Sequence, residues 1–221
     1  MGLSKRIRPS FAAGALLVLL FSIPGCVGPA SQPPQDAAKA AELDAFFLRF
    51  RRKVQERNAD SLLRDLSRES LLWLRDMGQA ARTEARVRLE ERPFHEILCI
   101  LGLRVERRLN PAFDDRPAGL MEKLVIQNHP VRKTLLKTEL GNARARGETG
   151  EIGLRETPNV PVFFFTRGPG GWTFHLVRSL PLILQGAESL ARSRKSTRLE
   201  QAVFILEQFA GRRVLPEDLI R

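Results

Sequence analysis

The chain contains no tyrosine, two cysteines and three histidines, so several kinds of site lack the residues they need. Two cysteines are too few for the multi-disulfide framework of small secreted domains. The histidines, His95, His129 and His175, have no zinc-ligand spacing among themselves or with a cysteine pair. The sequence has no Gly-x-Ser-x-Gly elbow, P-loop or dinucleotide fingerprint. It therefore predicts neither a metal site nor a cofactor.

The apolar run near the start is too short to be a permanent membrane span. Phe11–Ile23 covers about 13 residues, whereas a spanning helix needs about 20. Three basic residues, Lys5, Arg6 and Arg8, precede the run, and a small residue follows it. A basic end, a short apolar run and a small residue at the cleavage point are typical of a secretory signal. We therefore predict that residues 1–25 are a cleaved signal peptide.

The residues that end this signal, Ile23-Pro24-Gly25-Cys26, resemble the lipobox of bacterial lipoproteins. In that family the cysteine thiol receives diacylglycerol, the signal is cut before the cysteine, and the new amino terminus is acylated. The resemblance implies that Cys26 is the lipid attachment site of a periplasm-facing protein in the bacterial cell envelope. The residue after Cys26 is Val27 rather than Asp. The absence of Asp at this position resembles the pattern of lipoproteins sent to the outer membrane rather than kept in the inner membrane. An ordinary secretory signal with a chance cysteine is the alternative.

A Pro-rich tether is predicted between the lipidated cysteine and a folded domain. Residues 27–35 are rich in Pro, Gly, Ser and Gln and contribute little to a core. At about 3 Å per residue, the tether 26–35 keeps the domain within roughly 30 Å of the membrane surface. The remaining residues, 36–221, have the length of a single domain.

The chain carries an excess of positive charge, with a net charge of +11. Removing the three basic residues of the signal from +11 leaves +8. The excess is explained by arginines on solvated faces or, alternatively, by contact with anionic lipid or an envelope polymer. Basic clusters such as Arg49–Lys53 lie at the ends of predicted helices, where cations complement the helix dipole. The basic residues are scattered and the chain carries an export signal, so the sequence does not predict nucleic-acid binding. It indicates no protein partner.

The first half of the domain shows helical periodicity. Apolar residues recur at the three- and four-residue spacing of one helix face over Leu43–Val54 and over Phe94–Val105. Asp60 is predicted to cap a short second helix. Ser67 is predicted to cap a third helix that continues through Leu89.

The second half changes to the pattern of strands separated by glycine turns. The predicted strands are Thr134–Arg146, Glu151–Glu156, Val160–Arg167 and Trp172–Leu180. Two further helices are predicted from Pro181 and from Thr197, which begins a Thr-x-x-Glu capping box. The sequence therefore predicts an α+β fold, with N-terminal helices packed on a C-terminal antiparallel curved meander sheet and extra C-terminal helices.

Two stretches resemble the nuclear-transport-factor-two-like, or cystatin-like, α+β cone superfamily. Asn58–Ser70 looks like its short helix-to-helix passage, and Gly168–Phe174 looks like its late strand after a glycine turn. The superfamily contains polyketide cyclases, ketosteroid isomerases and non-enzymatic domains. A steroid-isomerase site needs a Tyr hydroxyl, which this chain lacks, and no Asp or Glu occurs in Val160–Leu180. The resemblance therefore implies architecture rather than activity.

The cone architecture implies an apolar pocket between the sheet and the long first helix. Its candidate lining residues are aromatic: Phe46, Phe50, Phe163, Phe165, Trp172 and Phe174. Cys99 lies in an apolar run and is predicted to be a buried core residue. His129 precedes a proline and is predicted to be a turn residue.

His175 is the candidate catalytic residue. It is placed on the last predicted strand, opposite the face of Trp172, where it points either to solvent or into a pocket. The sequence predicts a lipid-anchored envelope protein with a non-catalytic binding or structural role, one version of which holds an apolar ligand. The alternative is a cone-fold enzyme, isomerase- or cyclase-like or hydrolytic, that pairs His175 with a carboxylate within about 3 Å.

Overall fold

Helices come first along the described chain, and a sheet follows. A computed structural model describes residues 34–114, 116–192, 196–210 and 213–219, all within the compact unit Gln32–Arg221. The helices before the sheet are α1 (Pro34–Gln55), α2 (Ala59–Leu63), α3 (Arg68–Thr83), α4 (Arg86–Glu91), α5 (Phe94–Leu109), α6 (Pro117–Met121) and α7 (His129–Lys137), with a π-helical segment, Glu122–Ile126, directly after α6.

The sheet is an antiparallel meander of four strands in the order β1-β2-β3-β4. Its strands are β1 (Leu140–Arg146), β2 (Thr149–Leu154), β3 (Thr157–Gly168) and β4 (Gly171–Phe174). The helices after it are α8 (Leu176–Ile183), α9 (Gln185–Arg192), α10 (Arg198–Ala210) and α11 (Pro216–Leu219). This order confirms the predicted α+β class, with N-terminal helices, an antiparallel meander and extra C-terminal helices.

The long helix α1 packs its apolar stripe against one face of the sheet. Leu43, Phe47, Phe50 and Val54 follow the helical spacing and are fully buried. On the sheet, residues of one face alternate with residues of the other, so Phe163 and Phe165 point to the same side as α1. Helix and sheet therefore share one aromatic core.

A second layer is built around α5, which contacts α3 on one side and α10 on another. Cys99 in α5 is only 5% exposed, and burial raises the pKa of its thiol to about 12. The prediction of a buried core cysteine is confirmed. Such a thiol stays protonated at neutral pH and is a poor nucleophile.

The third predicted helix is interrupted, which corrects the expectation that it continues through Leu89. α3 ends at Thr83, and the next two residues, Glu84 and Ala85, have extended backbone before α4 begins. The buried guanidinium of Arg104 donates to the carbonyl oxygens of Ala80, Ala81 and Glu84 at this end. Together with the Glu84 N–H, which donates to the Ala80 carbonyl, it satisfies the carbonyls at the end of this helix.

The predicted strand from Thr134 was wrong at its start, because α7 occupies residues up to Lys137. The Asn128 side chain accepts a hydrogen bond from the Val131 N–H at 3.4 Å, and proline is favourable in the first helical turn. His129 accordingly begins a helix rather than occupying a turn. The signal for this cap was present in the sequence as Asn-x-Pro.

The helix starts predicted from capping residues are confirmed in two cases and corrected in one. The second helix is capped by Asn58, which accepts from the Ser61 N–H at 3.0 Å, rather than by Asp60. Ser67 caps α3 as predicted, and the Thr197–Glu200 capping box is confirmed by hydrogen bonds of 2.8 and 3.2 Å. α1 begins at Pro34, two residues inside the predicted tether.

Two strand boundaries also differ from the prediction. β3 begins at Thr157, because the chain reverses at Arg155 and Glu156 rather than after them. β4 ends at Phe174, and α8 follows, so the predicted strand through Leu180 is wrong. Pro181, expected to open a helix, lies inside α8. The signal peptide, Cys26 and the tether up to residue 33 lie outside the described residues.

Candidate functional site

The six aromatic residues predicted to line a pocket lie together in the core between α1 and the sheet. None is more than 7% exposed. The ring centroids of Phe50 and Phe174 are 4.8 Å apart, those of Phe165 and Phe174 5.5 Å, and those of Phe46 and Phe165 6.1 Å. Phe47, which the pocket prediction omitted although it shares the stripe of α1, lies 4.8 Å from Phe163. The rings pack against one another at distances typical of aromatic pairs in protein cores.

Beside this core an open cleft of about 810 Å³ lies between three segments. One wall is a face of α1, another is the passage from α2 to α3, and the third is the β3–β4 turn. The lining residues are Glu42, Ala45, Phe46, Arg49, Arg64, Asp65, Ser67, Arg68, Glu69, Thr166, Gly168, Pro169, Gly170, Gly171, Trp172 and Thr173. Phe46 and Trp172 thus connect the aromatic core to the cleft.

Backbone pairing holds the α2–α3 passage against the edge of the sheet. Leu66 forms an isolated parallel bridge with Phe174 of the edge strand β4. The Ser67 N–H donates to the Phe174 carbonyl at 3.0 Å, and the Phe174 N–H donates to the Asp65 carbonyl at 2.7 Å. These bonds cover an edge that would otherwise expose unpaired groups. They also set the position of Arg64 and Arg68, the residues on either side of the bridge.

Two of the three acidic residues in the cleft are engaged in ion pairs with residues outside its lining. Glu42 accepts from Arg167 at 3.2 Å, and Asp65 accepts from Lys53 at 2.6 Å. The third, Glu69, lies in the first turn of α3. Its own backbone N–H holds the pKa of its carboxyl below the ordinary value, and charges on His175 and Arg68 act in the same direction.

The three arginines of the cleft are exposed and have no such partners. Within the described part of the chain, the guanidinium groups of Arg49, Arg64 and Arg68 make no hydrogen bond and no ion pair. The pairing of Glu42 and Asp65 with other cations therefore leaves the cleft with an excess of available positive charge. An arginine presents five N–H donors in a fork that matches phosphate and carboxylate oxygens.

Two other surface depressions are also lined by arginines. In one, of about 490 Å³, Arg155 pairs with Glu139 at 2.7 Å. In the other, of about 320 Å³, Arg144 pairs with Glu151 at 3.1 Å, and the Arg178 guanidinium lies 4.4 Å from the ring centre of Phe164. Arg146 also lines this smaller depression and makes no ion pair among the described residues. The cleft beside the aromatic core is the largest of these sites, and all three of its arginines lack an ion pair among the described residues.

His175 lies between β4 and α8 rather than on a strand. The backbone N–H of His175 donates to the Phe164 carbonyl at 2.8 Å, and the backbone carbonyl of His175 accepts from the Ser179 hydroxyl at 3.0 Å. The imidazole is half-buried, burial lowers its pKa, and Nδ1 has no hydrogen-bond partner among the described residues. His175 is not one of the residues that line the cleft.

His95 is partly buried against an aromatic ring, and no metal site is formed within the described ranges. The imidazole of His95 stacks on the indole of Trp73 at 6.5 Å, and burial lowers its pKa. No group of three or more His, Cys, Asp or Glu in the part that the structure describes is arranged to hold a metal ion. No helix among the same residues is both long and apolar enough to cross a membrane.

Comparison of the chain with protein-family models, with curated proteins and with solved structures gives no significant match. The resemblances to bacterial lipoproteins and to the cone superfamily stay predictions from the sequence. The functional interpretation therefore depends on the described geometry and on the N-terminal motif.

Proposed function

We propose that this protein is a lipid-anchored component of the bacterial cell envelope with a non-catalytic binding role. The anchor is Cys26, at the end of a motif that resembles a lipobox. The binding element is the open cleft between α1, the α2–α3 passage and the β3–β4 turn. The predicted outer-membrane, periplasm-facing address belongs to the same proposal.

The observation that carries the binding role is the contrast between the aromatic core and the cleft beside it. The six aromatic candidates are buried against one another, whereas the neighbouring cleft is open and lined by charged side chains. An apolar ligand held among these rings would require them to move apart, at a cost in packing. A polar or charged ligand in the cleft requires no such rearrangement. The geometry thus favours binding of a charged group over the apolar-ligand version of the prediction.

The enzymatic alternative depends on His175 and has less support. A general base of this kind is oriented by a carboxylate at hydrogen-bond distance from one imidazole nitrogen. Nδ1 of His175 is buried and has no partner among the described residues. Glu69 acts on His175 only as a nearby charge. Replacing His175 with Gln would separate the two functions, since binding in the cleft does not require the imidazole.

The anchor is tested by labelling cells with radioactive palmitate and recovering the full chain. The wild-type protein is expected to carry label, and Cys26→Ser is expected to lose it. Cys99→Ala is the matched control, because it removes the other cysteine from a buried position and is expected to keep the label. Equal labelling of wild type and Cys26→Ser would exclude the lipoprotein assignment. Density-gradient separation of the labelled membranes then reports which membrane holds the protein.

A further inference from the structure

We propose that the cleft is a binding site for a phosphate group, recognised by Arg49, Arg64 and Arg68. The inference deepens the proposed function, on which it rests for the location of the domain near a membrane. It names the chemistry of the ligand and the residues that contact it. Phosphate groups are presented there in two forms, as phospholipid headgroups and as soluble phosphates, and the arginines recognise what both share.

The first support is the charge that the fold leaves uncompensated. Glu42 and Asp65 are paired with Arg167 and Lys53, which do not belong to the arginine set. The guanidinium groups of the three arginines make no hydrogen bond or ion pair within the described residues. Glu69 offsets part of their charge, so the excess that remains suits an anion.

The second support is that the N-terminus of α3 and a buried indole border the same cleft. Ser67 and Arg68 line the cleft at the N-terminus of α3, a 16-residue helix whose positive dipole end favours anions. The Ser67 N–H donates to Phe174 and its hydroxyl pairs with Ser70, so this end contributes its dipole rather than the Ser67 donors. Trp172, which is 6% exposed and also lines the cleft, has an indole Nε1–H with no hydrogen-bond partner among the described residues. A buried donor without a partner is uncommon in folded proteins.

The third support is that the fold brings the backbone positions of the three arginines to the same cleft. Arg49 shares one face of α1 with Glu42 and Phe46, at helical spacing. Arg64 and Arg68 flank the backbone bridge between Leu66 and Phe174. Because the backbone of the site is already ordered, binding has to order only the arginine side chains.

The test uses the full chain in non-ionic detergent micelles and measures binding by calorimetry. Inorganic phosphate and glycerol phosphate are titrated as soluble probes, and phosphatidylglycerol is added to the micelles, against phosphatidylcholine, as the lipid probe. The triple variant Arg49→Gln, Arg64→Gln, Arg68→Gln is expected to weaken binding about tenfold or more, because each arginine provides charge-assisted hydrogen bonds. A second triple variant, Arg52→Gln, Arg75→Gln, Arg88→Gln, removes the same charge from exposed positions outside the cleft and is expected to change affinity less than about twofold.

The two sources of phosphate give different results. Binding of the soluble probes that the cleft variant loses supports a site for phosphate itself. Binding confined to phosphatidylglycerol micelles, and lost in the cleft variant, supports a lipid headgroup. Absence of binding to every probe, or equal weakening by the cleft and control variants, would overturn the proposal.

Two further variants keep the test informative if the triple variant folds poorly. Replacing the three arginines by Lys keeps the charge but removes the planar fork, and is expected to give an intermediate affinity. Glu69→Gln removes the one acidic residue of the described cleft lining that has no ion pair, and it is expected to tighten phosphate binding severalfold. Palmitate labelling of Cys26 is measured separately. A protein that carries no lipid and still binds phosphate through these arginines would contradict the anchor and leave the site intact.

Discussion

Arginine is used in two different ways in this molecule. Around α3 and α5, Arg92 contacts three carboxylates and Arg104 donates to four carbonyl oxygens. In the cleft, by contrast, Arg49, Arg64 and Arg68 have no partners among the described residues. A count of basic residues cannot separate these groups, yet the first stabilises the fold and the second is available to a ligand. The predictions below set the two groups against each other.

The largest effect is expected for Arg104, which is 2% exposed. Arg104→Met keeps much of the side-chain volume but leaves the carbonyls of Ala80, Ala81, Glu84 and Asp218 without this donor. Because buried acceptors without partners are costly, the free energy of unfolding should fall by about 3 kcal/mol. Urea denaturation measures the change. A variant as stable as wild type would show that water or other groups satisfy these carbonyls.

Arg92 is expected to show a smaller effect, because it is partly exposed. Its guanidinium contacts Glu84 at 2.6 Å, Glu96 at 2.8 Å and Asp76 at 3.0 Å, and these carboxylates raise its pKa. Arg92→Ala should lower the free energy of unfolding by about 1–2 kcal/mol, since a network of charged hydrogen bonds is lost.

The matched control for Arg92 is Arg86→Ala, which breaks one exposed pair with Glu90 at 3.1 Å. Its cost should be below about 0.5 kcal/mol. Equal costs for Arg92→Ala and Arg86→Ala in the same urea series would mean that the three-carboxylate network adds nothing to stability.

The lowered pKa values of His95 and His175 predict how the stability of the folded protein depends on pH. Burial lowers the pKa of both His95 and His175, so the unfolded chain binds protons more readily than the folded protein. Their contribution to stability is therefore fully present above the unfolded pKa of about 6.5 and is lost as the pH falls below it. The melting temperature of His95→Asn should fall less than that of wild type between about pH 7.5 and about pH 5.5. Parallel curves for the two proteins would contradict this assignment.

The smallest effect on stability is expected in the cleft. Replacing Arg49, Arg64 or Arg68 with Gln removes no hydrogen bond or ion pair within the described residues. Each substitution should change the free energy of unfolding by less than about 0.5 kcal/mol, as is usual for surface positions without special contacts. A cost similar to that of Arg92→Ala would place these arginines with the structural group.

Much of the fold could be predicted, because its signals are local. The apolar spacing of Leu43–Val54 predicts α1, and the glycine turns predict the antiparallel meander. The break after α3 could not be read in the same way. It depends on Arg104, which is distant in sequence and reaches the end of α3 only in the folded chain. The apolar spacing alone predicts one continuous helix through Leu89, because the helical period does not change at the break.

The candidate cleft was less predictable than the fold. Arg49 was visible in a basic cluster and was interpreted as a charge that complements the end of a helix. Arg64 and Arg68 join it only because Leu66 pairs with Phe174, more than a hundred residues later. Which acids already have partners is likewise a property of the folded protein, as the Asp65–Lys53 and Glu42–Arg167 pairs show.

The most direct measurement of the central claim is the effect of phosphate on the melting temperature of the full chain in non-ionic detergent. A ligand that binds only the folded state raises the melting temperature, and the rise grows with the logarithm of the ligand concentration once that concentration exceeds the Kd. Phosphate should stabilise wild type and the Arg92→Ala variant alike, and it should fail to stabilise the Arg49→Gln, Arg64→Gln, Arg68→Gln variant. Equal stabilisation of all three proteins, or stabilisation of none by phosphate and by phosphatidylglycerol micelles alike, would contradict the division of the arginines into structural and ligand-binding groups.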